Sequence, residues 1–205
     1  MTYPDRLSCT AWLKKYPALV DEAAGLPHVE DAISVLTGAA RKLLGDRSAA
    51  RNCGALKPGE RDYRVSGVFL IAPDRRHNVL AANHGFPREQ RRLSIPIGWN
   101  HPGRVVATER MILLENTDEH GEFRQFLKTS KMGSSLYMPI FTGSGMVGQI
   151  VVAAQARGTY SSDDISPMAC LAAVVALLWE ARDGQAWWAG DHPADDAWYA
   201  EDNRV

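Results

Sequence analysis

The chain has 205 residues, 45% hydrophobic and 23% charged, a balance that suits one globular domain with a full core. A formal net charge of −1 argues against nucleic-acid binding by bulk electrostatics. No run approaches the ~20 apolar residues that span a bilayer, and the start, MTYPDRLSCTAWLKKYPAL, is not a secretory signal, so a cytoplasmic location without membrane contact is expected.

In chain order, residues 11–24 predict a short helical segment interrupted by Pro17. Residues 28–45 predict the first strong helix. Val29, Ile33, Leu36, Ala40, Leu43 and Leu44 recur at three- and four-residue steps, and Gly45 stops it. Residues 46–62 read as a loop. VSGVFLIAP (65–73) and VLAANHG (79–85) predict a hairpin around the turn PDRRHN. LSIPIG (93–98) predicts a short strand broken by Pro96. Residues 101–110 predict a short helix with Pro102 near its start. MILLEN (111–116) predicts a strand, and EFRQFLKTS (122–130) a short amphipathic helix. Residues 134–155 read as strand, Gly-rich turn, strand. The segment 164–182 is a long, nearly all-apolar helix, capped by Ser162 or Asp163 and ended by Asp183-Gly184. The tail 183–205 has no sustained periodicity.

These elements predict an α+β fold, an antiparallel sheet with the terminal helices 28–45 and 164–182 on one face. A helix as apolar as 164–182 needs burial on more than one side; the sheet covers one, and helix 28–45 or a second subunit must cover the rest, so a homodimer through the terminal helices is expected.

The stretch Ser134-Ser135-Leu136-Tyr137-Met138-Pro139-Ile140, the turn Thr142–Gly145 and then Met146-Val147-Gly148-Gln149-Ile150-Val151-Val152-Ala153 resemble the hairpin of the GAF family of sensor domains. Tyr160, the pair Asp163-Asp164 and the alanine-rich helix follow as in that family. Ile95-Pro96-Ile97-Gly98 and Gly103–Thr108 resemble its strand and pocket helix. The resemblance runs from about 28 to 182. It implies a central antiparallel sheet, with helices on one face and short helices and loops covering a pocket on the other. The chain then divides into an N-terminal helical extension (1–27), a GAF-like domain (28–182) and an acidic, Trp-rich C-terminal tail (183–205). In this reading Gly148 marks a close approach of a strand to another element, and Pro139 lies where no ladder donor is needed.

Candidate chemistry is sparse. Cys9, Cys53 and Cys170 are far apart, which fits a reducing compartment. The six histidines show no metal-ligand spacing, so no metal is expected. Some relatives reduce free methionine sulfoxide through pocket cysteines, but residues 54–169 contain none, and Cys170 reads as a core residue. No Cys-His pair for a bilin and no cyclic-nucleotide signature occurs. His84 and His101 are the candidates for a haem ligand, although a strand end and a turn account for them. No cofactor is assigned.

The pocket lining is expected from Phe69, Trp99, Val106, Phe126 and Tyr137, with Asn83, His84, His101, Asn116, Ser134 and Ser135 as polar groups. Arg75, Arg76, Arg88, Arg91 and Arg92 form a basic rim. From Asp183 onward six acids face the single base Arg204, a net of −5, so residues 1–182 carry +4. Trp187, Trp188, Trp198 and Tyr199 alternate with those acids, which predicts docking on the chain's own rim, on a second subunit or on another protein. The expected function is a non-catalytic, ligand-binding sensor that signals through a protein partner. The alternative is an interaction module with a vestigial pocket, and a small redox enzyme comes third.

Overall fold

Strands β1 (Arg64–Ile71), β2 (His77–His84), β3 (Arg92–Pro96), β4 (Ile112–Leu114), β5 (Ser134–Thr142) and β6 (Gly145–Ala154) form one antiparallel sheet in the order β4-β5-β6-β1-β2-β3. The computed structural model describes residues 5–120, 131–191 and 197–199. The expected helix 122–130 therefore lies outside the described residues. Helices α1 (Cys9–Ala24), α2 (Val29–Leu43) and α4 (Ile165–Ala181) cover one face of the sheet, and α3 (Asn100–Thr108) lies on the other.

Successive strand residues point to opposite faces. On the helix side Val68, Leu70, Leu136, Met138, Ile150 and Val152 meet Ile33, Leu36, Leu171, Val175 and Trp179. Burying each large side chain of that set stabilises the fold by about 1.5–3 kcal/mol. Gly148 behaves as its pattern implies, since a Cβ there would stand 2.4 Å from the Phe69 carbonyl oxygen of β1. Pro139 pairs with Gln149 on β6 but lies beyond the three β5 residues that β4 pairs, so its missing N–H leaves no ladder position empty on that side.

Several expectations are corrected. Pro17 lies inside an unbroken α1. Both it and Leu13, whose carbonyl would have been its partner, are exposed, so the freed carbonyl lies within reach of solvent. The cap before α4 is Ser161, whose Oγ accepts from Asp163 N while Asp164 Oδ2 accepts from Ser161 N. Asp164 also accepts from Gly45 N at 2.8 Å and from Arg6 at 2.6 Å, tying the end of α2 and the N-terminal segment to the start of α4.

Cys170 is exposed, not a core residue. Helix α4 turns Ala169, Cys170, Ala173 and Leu177 to solvent, because the sheet, α1 and α2 cover only its other sides. Residues Ser162–Ala181 are also long and apolar enough to cross a bilayer, contrary to the expectation from composition, yet more than half of that segment is buried inside this chain.

The tail carries structure that its pattern did not announce. Helix α5 (Gly184–Asp191) follows α4, and β7 (Ala197–Tyr199) pairs in parallel with β3, as a seventh strand at the sheet edge.

At the end of the sheet, Arg157 binds Glu60 and Asp118, and Asp118 also receives Lys57 and Lys131. The bonds from Lys57 and Lys131, with Arg157 behind them, hold the Asp118 carboxyl far below the usual carboxylate range. Its contribution to stability is complete above the ordinary Asp range near ~4 and fades as pH falls below it. Asp118→Asn is expected to be less stable than the parent at pH 7, with the difference shrinking toward pH 2 in urea titrations. A second outcome tests the sheet. Gly148→Ala should cost about 1–3 kcal/mol, while Gly143→Ala, in the open β5–β6 turn, should stay within about 0.5 kcal/mol by the same denaturation.

Candidate functional site

The sheet face away from α1, α2 and α4 is built in rows fixed by strand register. One row is Pro139, Gln149, Phe69 and Leu80, and the next is Ile112, Tyr137, Val151, Gly67 and Asn83. Leu114, Ser135, Ala153 and Val65 flank them on one side, and Ile71, Asn78 and Ile95 on the other. None of these positions holds an Asp, Glu, Lys or Arg. Phe69, Ile71, Leu80, Leu93, Ile95, Tyr137 and Val151 pack here with Val105, and Phe86, Ile97 and Val106 close over them partly exposed.

Two buried carboxamides pin the segment that leads into α3. Gln149 Nε2 donates to the Pro102 carbonyl at 3.0 Å, and Asn78 Nδ2 donates to the Ile97 carbonyl at 3.4 Å. Each spends its amide donor on backbone and leaves its oxygen, buried, without a hydrogen-bond partner among the described residues. The segment between them turns sharply. Asn100 takes φ 54°, and a Cβ on Gly103 would lie 2.3 Å from the Gly98 carbonyl carbon.

The His101 ring stacks on Tyr137 with centroids 6.1 Å apart and planes 22° from parallel, and both residues are buried. Burial in apolar surroundings pushes the Tyr137 hydroxyl up to about 12, so it stays a neutral donor and acceptor at any physiological pH. This face therefore combines a packed apolar surface of Phe69, Tyr137 and Val151 with buried hydrogen-bond acceptors. Among the described residues no group of three or more His, Cys, Asp or Glu side chains forms a metal centre.

The structure brings together Phe69, Asn83, His101, Val106 and Tyr137 of the expected site residues, with Trp99 half-buried at the start of α3. Ser135 shares this face. Asn83 lies toward the rim, with Nδ2 near the Ala81 and Arg91 carbonyls. Phe126 lies outside the described residues.

Three of the expected residues are placed elsewhere. His84 faces α2, with Nε2 2.8 Å from the Ser34 carbonyl oxygen and 3.1 Å from Ser34 Oγ. Ser134 faces the helix layer, donating to the Leu114 carbonyl and accepting from Tyr160 N. Asn116 caps its own turn, with Oδ1 accepting from Asp118 N and Nδ2 donating to Glu119. The residues that sequence reasoning missed are Asn78 and Gln149. Strand alternation puts both on the site face, and a carboxamide amid Val, Leu and Ile is the signal.

The family model described as GAF domain matches residues 28–179. The chain belongs to the GAF domain family.

Its fold is similar to that of the GAF domain of a phosphoenolpyruvate-protein phosphotransferase from Coxiella burnetii, at 18% identity and TM-score 0.68 over 86% of this chain and 96% of that one. The corresponding domain from Acinetobacter gives 17% identity and TM-score 0.66, over 87% and 97%. Free methionine-R-sulfoxide reductase from Neisseria meningitidis gives 14% identity and TM-score 0.67, over 90% and 99%. At such identities these likenesses show the fold. A comparison with curated protein sequences found no match. At the coarse level that the family supports, the chain is a ligand-binding sensory or regulatory module.

The carboxamide tie can be tested directly. Gln149→Leu should cost about 1–3 kcal/mol by urea denaturation. It should also speed amide exchange at Gly103, whose N–H bonds to the Trp99 carbonyl, while leaving exchange in β1 unchanged.

Proposed function

We propose that this GAF domain binds a compact, uncharged molecule with an apolar body and N–H or O–H donors, on the sheet face beneath α3, and catalyses nothing. The observation that carries this reading is a face without a charged position, on which Gln149 Oε1 and Asn78 Oδ1 are buried acceptors without partners among the described residues. A buried anion or zwitterion needs a compensating charge and loses several kcal/mol without one. A neutral donor gains by satisfying the two oxygens.

The cysteines support the absence of catalysis. Residues 54–169 contain none, and Cys9, Cys53 and Cys170 are exposed on elements outside this face. The Neisseria reductase structure holds that enzyme's substrate. Free methionine sulfoxide, for which the enzyme is named, is a zwitterion at neutral pH, and the face described here offers no charge to match it.

The ligand's effect is proposed to reach a partner through the helices, by favouring one of their arrangements. The partner is a second copy of this chain. The exposed stripe of α4 carries Leu177, and Leu13 of α1 is also exposed on the helical layer, at 69% and 62%. Tyr16 Oη bonds to the Cys170 carbonyl at 2.6 Å, joining the two helices side by side.

Thermal shift with matched neutral and anionic heterocycles tests the pocket. A neutral N–H donor at 100 times its Kd should raise stability by about 2.7 kcal/mol, and Tyr137→Ala should abolish the shift. Stabilisation by anions alone would rule the reading out. Leu177→Glu should convert the dimer to monomer in sedimentation while leaving the melting of the monomer within a few degrees.

A further inference from the structure

The C-terminal segment is fixed at one point and lightly held at another. Gly184 opens α5 against the Trp179 ring, where a Cβ would come within 2.4 Å of it. Trp187 meets Trp179 edge-on at 6.1 Å, and Trp188 is buried with its indole N–H on the Ile71 carbonyl at 2.8 Å. This anchor sits at the end of β1. Beyond it the chain touches the sheet again only through β7 among the described residues. There Ala197, Trp198 and Tyr199 pair with Arg92, Leu93 and Ser94.

Three residues in parallel pairing make a marginal strand. The edge they cover is otherwise complete. β3 presents Leu93 and Ile95 to the site face, and Arg92 is fastened to Glu30 of α2 by two bonds of 2.8 and 2.9 Å. β3 thus stays in place whether or not β7 covers it. Exposed arginines bracket this edge. Arg88 and Arg91 precede β3, and Arg75 and Arg76 lie in the β1–β2 turn, whose Arg76 carbonyl accepts from Ile97 N just past its end. In the sequence, Trp198 and Tyr199 of β7 stand between Asp195 and Asp196 on one side and Glu201 and Asp202 on the other.

We propose that the outer edge of β3 is a strand-acceptor site, occupied in cis by the chain's own C-terminal segment and open by exchange to an extended, acidic, aromatic-bearing segment of a partner protein. Main-chain pairing supplies the affinity, as in other cases of strand addition, and the arginine bracket selects acidic sequences. The edge and the tail carry this proposal, independently of any ligand beneath α3.

The test uses the full chain, its Trp198→Pro variant, and a fluorescein-labelled peptide of sequence DDAWYAEDNRV, which reproduces residues 195–205. Proline inside a three-residue strand disfavours its pairing and leaves the α5 anchor intact. A chain ending at Asp191 serves as the second variant, and melting curves confirm that both fold. In fluorescence anisotropy the peptide should bind both variants at least ten-fold tighter than the full parent chain, and binding should weaken as salt rises. Amide exchange at 92–94 should be at least ten-fold faster in both variants and return toward the parent rate with excess peptide. Equal binding to parent and variants, or no binding with unchanged exchange at 92–94, overturns the proposal. Protection at 92–94 that grows with protein concentration in parallel with dimer formation overturns cis occupancy and makes a second copy's tail the occupant.

Discussion

Between Gly67 and Phe69 of β1, strand β2 runs from Asn83 to Leu80 and so spends one residue more than its partner. This bulge sends both Ala81 and Ala82 to the helix side and reverses the alternation beyond them. Without it, His84 would share a face with Leu80. With it, Asn83 comes onto the site face and His84 goes to α2, where Gly38 leaves room for its ring. The composition of the site face depends on that single extra residue. A histidine is removed from the face, and a neutral carboxamide takes its place at the rim.

Most of the fold was legible because its signals are local or periodic. The helix expected at 28–45 is Val29–Leu43, the helix at 164–182 is Ile165–Ala181, and both hairpins lie where their turns indicated. Gly148 was readable because a glycine inside an apolar strand has few other reasons to be there. What failed depended on relations between distant parts. Alternation alone cannot reveal a bulge, so His84 and Asn83 were assigned to the same face although adjacent strand residues normally cannot share one. Ser134 and Ser135 are equivalent as letters, and register gives the first to the helix layer and the second to the site. The apolar run around Cys170 resembled core on every side, because its composition does not record which side the sheet leaves bare. The tail's short elements follow from contacts with Trp179, Ile71 and β3, and none of these is visible in a window of local sequence.

The polar groups of the site face divide the work of structure and recognition within single side chains. Gln149 and Asn78 use their nitrogens to hold the backbone at Pro102 and Ile97, and that backbone carries His101 over Tyr137. Their oxygens remain buried. A hydrogen bond formed there is worth more than in water, because the surroundings are apolar and the alternative is an unsatisfied acceptor. The same apolar surroundings penalise any charge. One arrangement thus accounts for the precise seating of α3 and for the proposed preference for a neutral ligand, since the carboxamides that orient the cover are also the groups that such a ligand would meet.

β3 joins the three parts of the molecule. Its Leu93 and Ile95 are buried on the site face, Arg92 on the opposite face grips Glu30 of α2, and its outer edge carries β7. A five-residue strand bonded on one side to only three residues of β2 has little sheet to hold it rigid. The Arg92–Glu30 pair compensates from the helix side. With Arg92 only 3% exposed, either partner left alone would strand a charge at the surface of the core, so β3 and α2 must move together. Displacement of β3 by a bound molecule would therefore be felt at both the first helix of the family core and the C-terminal strand. The site face, the helical layer and β7 meet on this one short strand, and under the proposed function it is the element through which occupancy beneath α3 would reach the surface.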